Sequence, residues 1–178
     1  MLLASAEGGL GAIIIMKITS QEEYGLRILL RIARCRDEES MSIQALSVAE
    51  GLSPAYIAKL TRLLRQAGYI NSTPGNIGGY ILSKPAEEIN INQVLKTLGG
   101  SLFSKEFCND FSGANRLCTN SVDCSVRSLW QMVQFSVDQL LDKISLNDLI
   151  GTEKKSDNLL NYLLQQHQYP QRKIVSEP

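Results

Sequence analysis

The chain has 178 residues, 44% of them hydrophobic and 6% aromatic, with 18 Lys/Arg offset by 18 Asp/Glu and a single histidine. That length and composition suit one helical domain with an appendage, its core built from aliphatic side chains, and argue against a disordered chain. No stretch approaches the about 18 consecutive apolar residues of a membrane-spanning helix, and the first residues lack the basic start and cleavage site of a signal peptide, so a cytoplasmic protein is expected.

Charge is unevenly spread. Met16 to Lys84 carries nine Lys/Arg against six Asp/Glu, and Pro85 onward nine against eleven, so the front half is mildly basic. Residues 1–15 end in a short apolar run, Ala12 to Ile15, and are expected to be a poorly ordered extension, with Met16 as the natural start.

Ile18, Tyr24, Ile28, Leu29 and Ile32 recur at helical spacing after Thr19 or Ser20, either of which can cap a helix; the polar run Arg36 to Ser40 ends it. Ser42 to Glu50 reads as a short amphipathic helix closed by Gly51, a residue that adopts the left-handed conformation of a helix end. In Leu52-Ser53-Pro54, Ser53 can cap free N–H groups while Pro54 takes the first helical position, where its missing donor costs nothing. The third helix then runs to Gly68, with Ile57, Leu60, Leu64 and Ala67 on one face. Tyr69 to Thr73, Pro74 to Gly79 and Tyr80 to Leu82 read as strand, glycine-rich turn and strand.

Ile89 to Gly99 is expected to be helical, and a polar loop of about twenty residues follows, long enough to imply a task of its own. From Val122 to Ile150 the residues Val126, Leu129, Trp130, Val133, Val137, Leu140, Leu141 and Ile144 follow steps of three and four, a greasy stripe longer than a small domain can cover. Pairing with a second copy is the simplest way to bury it. Asn158 to Gln166 can form a last loose helix in an otherwise flexible tail. The predicted fold is therefore mainly α with a small β-hairpin: an extension (1–15), a winged helix-turn-helix (16–84), a connecting helix and cysteine-bearing loop (85–121), a dimerisation helix (122–150) and a tail (151–178).

A helix-turn-helix followed by a glycine-rich hairpin points to double-stranded DNA, because its second helix can lie in the major groove and present side chains near its start to base edges. The candidates are Ser53, Ala55, Tyr56, Lys59 and Arg62, with Arg65 reaching phosphate from the helix end. The blander alternative is that Lys59, Arg62 and Arg65 only solvate an exposed face.

Three of the four cysteines, Cys108, Cys118 and Cys124, crowd into seventeen residues ahead of the long helix. Thiolates in a loop can converge on an iron–sulfur cluster, since soft sulfur suits iron and sulfide. The gaps do not match zinc or ferredoxin spacing, and the lone His167 lies far away. Oxidant-sensing thiols, a redox disulfide pair and inert loop residues are the alternatives. Cys35, at the end of the first helix, reads as a small packed hydrophobe. No flavin or nucleotide fingerprint and no catalytic triad can be assembled, which ranks an iron–sulfur redox enzyme low and a non-enzyme first.

Met16-Lys17-Ile18-Thr19 with Tyr24, the Leu-Ser-Pro-x-Tyr start of the third helix, Leu63 to Ile70, Gly78-Gly79-Tyr80-Ile81-Leu82, the cysteine trio and Trp130 occur in an order that resembles the IscR, NsrR and CymR group of bacterial winged-helix regulators. The resemblance spans Met16 to about Gly151. It implies a homodimer whose long helices cross and whose two heads bind successive grooves of a palindromic operator, usually as a repressor. It favours an iron–sulfur cluster, 2Fe–2S or 4Fe–4S, on Cys108, Cys118 and Cys124, responding to redox state, iron supply or nitric oxide. Where some relatives carry a histidine ligand, three residues beyond Cys124, this chain has Arg127. Other relatives use a carboxylate of the partner protomer's first helix, and the matching position is Glu23, with Glu22 in reserve; the plain alternative for both is favourable charge in a first helical turn. The wing departs from the family: Pro74 precedes Gly75 where many members carry a basic residue, so Asn76 or backbone N–H groups would take over those contacts, and Gly75, Gly78 and Gly79 serve mainly the turn. A cluster-free regulator answering to a partner protein or small effector is the alternative within the same group.

Overall fold

The computed structural model describes residues 18–35, 39–74, 78–103, 108, 118 and 120–166. The proposed extension, the wing-tip residues Gly75 and Asn76, and the end of the tail lie outside the described residues.

Helix α1 (Ser20–Ala33) starts from a capping box: Thr19 Oγ1 accepts the Glu22 N–H at 3.3 Å while Glu22 Oε2 accepts the Thr19 N–H at 2.8 Å. Ile28, Leu29 and Ile32 form its buried stripe as expected, but Ile18 is 73% exposed because it precedes the cap and so falls outside the helical period. Helix α2 (Ile43–Glu50) is capped by Ser42 and ends at Gly51 with φ 66°, and α3 (Pro54–Gln66) begins with Ser53 accepting the Tyr56 N–H at 3.3 Å. Ile57, Leu60 and Leu64 are fully buried, whereas Ala67, expected on the same face, is exposed at the helix end.

Strands β1 (Ile70–Ser72) and β2 (Tyr80–Leu82) pair antiparallel with Asn71 opposite Ile81. Met41, just ahead of α2, adds a bridge to Tyr80 on the far side. This contact corrects the expectation for Gly79. A Cβ there would lie 2.6 Å from Ser40 Oγ and 2.9 Å from the Met41 carbonyl carbon, so close backbone packing, more than turn geometry, requires glycine.

After a short 3-10 turn (Ala86–Glu88), α4 (Ile91–Gly99) packs on α1 so closely that a Cβ at Gly25 would stand 2.7 Å from Leu98 Cδ1. The long helix α5 (Ser125–Leu141) is shorter than the expected 122–150. Its end is set by the core: Ile144 is 3% and Leu146 0% exposed, an alternation that needs an extended segment between them. That segment bridges Asn90 through Ser145, with Ile91 N–H donating to Ile144 O at 3.0 Å and Leu146 N–H to Ile89 O at 2.8 Å. Ile144 is thus a core residue and not the end of the surface stripe.

A second 3-10 turn (Asn147–Leu149) leads to α6 (Glu153–Gln166). The expected flexible tail is corrected as far as Gln166: the helix begins before Asn158, and Leu163, 6% exposed, joins the core. Arg34, closing α1, holds this junction by donating to the carbonyls of Ile150 (3.2 Å) and Leu149 (3.4 Å). Burying aliphatic side chains such as Leu46, Ile57 and Leu64, which share one core cluster, contributes about 1.5–3 kcal/mol each.

Candidate functional site

On α3 the buried stripe faces α1 and α2, so Ser53, Ala55, Lys59, Arg62 and Arg65 stand on the exposed side and Tyr56 is half-buried. Lys59 Nζ lies 5.9 Å over the Tyr56 ring, and Tyr56 meets Tyr24 of α1 edge-on with centroids 6.2 Å apart. The first turn of α3 is thereby tied to the first turns of α1. Capping occupies the Ser53 hydroxyl only as an acceptor and leaves its proton free to donate.

The head is locked by a buried carboxylate that the sequence reading did not single out. Glu50, at the end of α2 with 1% of its side chain exposed, receives Arg31 Nε at 2.6 Å and has Arg27 Nε 2.7 Å away. The Arg27 contact is an ion pair without hydrogen-bond alignment, since Glu50 Oε2 has no well-directed donor. A carboxylate so placed is costly to leave unpaired, and it fixes α2 against α1.

Glu23 is exposed and makes only a loose pair with Arg27, 3.9 Å away. Glu22 is committed elsewhere: its carboxylate closes the capping box and lies over Gly99, where a Cβ would come within 2.1 Å of Glu22 Cδ. The reserve role considered for Glu22 therefore conflicts with its place in the fold, and Glu23 has the freer carboxylate.

Cys108, Cys118 and Cys124 are all half-buried free thiols. Cys124 is the N-cap of α5, its Sγ accepting the Arg127 N–H at 3.4 Å. The Arg127 side chain folds back over the helix start and donates from Nη2 to Ser121 O at 2.9 Å and Asn120 O at 3.3 Å. Its hydrogen bond with the Cys108 side chain pushes the guanidinium above its ordinary range, against partial desolvation, and the charges of Cys108, Cys124 and Cys118 add to the effect. The three sulfurs thus act on the Arg127 charge, while only that of Cys124 is placed by a hydrogen bond from Arg127, through the backbone N–H. They do not form a closed single-ion site: among the described residues no three His, Cys, Asp or Glu side chains are grouped to hold one metal ion, and Glu23 does not complete such a site within its own chain. Cys35 stands apart, half-buried, with its Sγ 3.6 Å from Arg31 O and its thiol pushed up by burial and by Glu39.

Just beyond the cysteines, α5 carries Val126, Leu129, Trp130, Met132 and Phe135 between 37% and 63% exposed, a row of large apolar side chains. Its other end is clamped to the head. Asp138 Oδ1 accepts from Asn92 Nδ2 at 3.0 Å and Gln134 Nε2 at 2.8 Å and lies 2.8 Å from Lys96 Nζ, while Asn92 also donates to Asp142 Oδ1 at 2.7 Å. Burial alone would raise the Asp138 carboxyl; the bonds from Lys96, Asn92 and Gln134 outweigh it and hold the group below its ordinary range. Phe103 N–H donates to Gln134 Oε1 at 3.0 Å, so the segment after α4 is fastened to the same helix. The sequence signal for this clamp was the polar row Gln134, Asp138 and Asp142, four residues apart along the helix and its C-cap.

A family model described as "Rrf2: Iron-dependent Transcriptional regulator" matches residues 18–152. The chain is 36% identical over 135 residues to the Rrf2 protein of Nitratidesulfovibrio vulgaris, covering 76% of this chain and 87% of that protein. Among solved structures, CymR of B. subtilis, described as the global cysteine regulator, superposes with a TM-score of 0.61 at 26% identity, over 76% of this chain and 97% of that one. IscR of T. potens superposes with a TM-score of 0.60 at 28% identity, over 84% of this chain and 93% of that one.

Proposed function

The chain belongs to the Rrf2 family of transcriptional regulators, DNA-binding proteins and not enzymes, and from that premise we propose that it acts as a cytoplasmic homodimer whose affinity for a palindromic operator is set by an iron–sulfur cluster on Cys108, Cys118 and Cys124. The observation that carries the reading is the set of three half-buried free thiols in and just before the start of a helix whose apolar row is uncovered, with Cys124 as that helix's N-cap. Soft thiolates are the donors that iron and sulfide take. When bound, such a cluster supplies a centre that changes with redox state, iron supply or nitric oxide.

The chain's own residues supply the rest. Val126, Leu129, Trp130, Met132 and Phe135 bury themselves against a second copy, which brings the exposed Glu23 of one protomer toward the cysteines of the other as an oxygen ligand. The Asn92–Asp138 clamp transmits the placement of α5 to the head, and the Tyr24–Tyr56 contact passes any shift at the start of α1 to the reading helix. Ser53, Ala55, Tyr56, Lys59 and Arg62 meet the major groove, Arg65 the backbone, and Gly75 and Asn76 the adjoining minor groove.

A second reading is a cluster-free regulator that binds a partner protein or small effector. Two findings favour it: the likeness to CymR, and the absence of a grouped single-ion site among the described residues. Anaerobic purification separates the two. A brown protein with matching iron and sulfide supports the cluster, and a colourless protein that binds its operator fully supports the alternative.

A further inference from the structure

Glu50 is the last residue of α2, a helix with no basic residue in its last turn, and its side chain is 1% exposed. A carboxylate there opposes the helix's own dipole and loses its hydration, so the local stability of α2 does not account for it. Its partners come from α1. Arg31 Nε donates to Oε1 at 2.6 Å, Arg27 Nε stands 2.7 Å from Oε2, and Arg31 Nη2 also donates to Ala49 O at 3.5 Å.

Two routes lead from this carboxylate to the first turn of α3. One is the chain itself: Leu52 N–H donates to Ser47 O at 3.1 Å and Ser47 Oγ donates back to Leu52 O, which fixes the turn that ends at the capping Ser53. The other runs through side chains. Arg27 Cζ lies 5.5 Å over the Tyr24 ring, Tyr24 meets Tyr56 edge-on, and Tyr56 carries Lys59 Nζ 5.9 Å over its own ring. Glu50, Arg27, Tyr24, Tyr56 and Ser53 thereby close a ring of contacts around the start of the reading helix.

Hydrogen bonds to base edges are directional, whereas attraction to phosphate acts over a longer range, so a small displacement of α3 costs sequence reading before it costs general binding. We propose that Glu50 is a positioning residue for DNA reading: buried away from the DNA, it sets the discrimination between the operator and other sequences by fixing the first turn of α3. The assignment rests on α3 lying in the major groove, as proposed above, and not on what the cysteines bind.

The test uses full-length protein purified without oxygen, with iron determined on each sample so that variants are compared at equal loading. Wild type selects a duplex from a random-sequence pool, and affinities for that duplex and for a scrambled one of equal length are measured across a salt series. E50Q keeps the size of the side chain and removes its charge. Its selected-to-scrambled affinity ratio should fall severalfold, with scrambled affinity and salt slope kept. An unchanged ratio overturns the assignment, and it is the result expected if the lost negative charge only raises affinity for both duplexes alike. If E50Q loses helical signal by circular dichroism, R27Q decides, since Arg31 still pairs with the carboxylate. There too the ratio should fall with the salt slope kept. An unchanged R27Q ratio refutes the proposal, as does an equal loss on both duplexes with the slope reduced by about one, which makes Arg27 a phosphate contact. The K59A/R62A protein separates the two readings. If it binds the selected duplex at full strength, or if wild type enriches no sequence, the groove placement fails and takes the assignment with it. If it binds weakly while the E50Q ratio is unchanged, only the role of Glu50 is refuted.

Discussion

Asn92 on α4, 3% exposed, donates through Nδ2 to Asp138 Oδ1 on α5 at 3.0 Å, so the helix bearing the uncovered apolar row is joined to the head by a half-buried polar contact and not by greasy packing alone. Hydrogen bonds demand direction where apolar contacts tolerate sliding, and a directional joint is what a movement of α5 needs in order to be felt in the head.

Asp138→Asn should lower stability by about 1.5–3 kcal/mol near neutral pH, the range for hydrogen bonds to a charged group, with the exposed Lys96 contributing the smaller part. The folded Asp138 carboxyl is held below its ordinary range. Its contribution is therefore complete above the unfolded value, about 4, and is lost as pH falls through the lower folded value. Denaturant unfolding of both proteins between neutral and acid pH should show the gap closing with acid; a gap independent of pH would remove the charge from the account.

Glu22 and Glu23 are neighbours with separable roles. Glu22→Ala breaks the capping box and should cost about 1 kcal/mol without altering a cluster spectrum. Glu23→Ala should leave stability almost unchanged while altering the spectrum or oxygen lifetime of the anaerobic protein. An unaltered spectrum and lifetime would return Glu23 to the role of a first-turn charge.

Lys59→Ala with Arg62→Ala should weaken operator binding and reduce the slope of log affinity against log salt by about two if both contact phosphate. Gel shifts across a salt series measure this, and undiminished affinity would misplace the reading face.

Leu129, 51% exposed, lies mid-row on α5. Leu129→Glu should give a monomer by sedimentation with its helical signal intact, because the head's core does not depend on that residue. A persistent dimer would locate the contact elsewhere.

The parts of the fold written in local chemistry were legible in the sequence. Ser42, Gly51, Ser53 and Pro54 mark the ends of α2 and α3 because capping is a contract between residues three or four apart. The parts set by distant contacts were not. Nothing near Ile144 and Leu146 announces that both are drawn into the core beside Ile89 and Asn90, so the long helix was drawn too far, and Gly79 answers to Ser40 and Met41, nearly forty residues away. At the candidate site the three cysteines were visible from their crowding, whereas Arg127 was noted only as the absence of a histidine. Its side chain folds back over its own helix start onto the Asn120 and Ser121 carbonyls, a contact that no spacing rule encodes.

The most direct measurement is operator affinity of wild type and Cys118→Ala, both purified without oxygen, with iron and sulfide determined on the same samples. The account expects wild type to be brown and iron-loaded, the variant to be a colourless folded dimer, and the two to differ in affinity. Equal affinity from a loaded wild type and an empty variant would contradict control by a cluster and leave a DNA-binding regulator governed by something else.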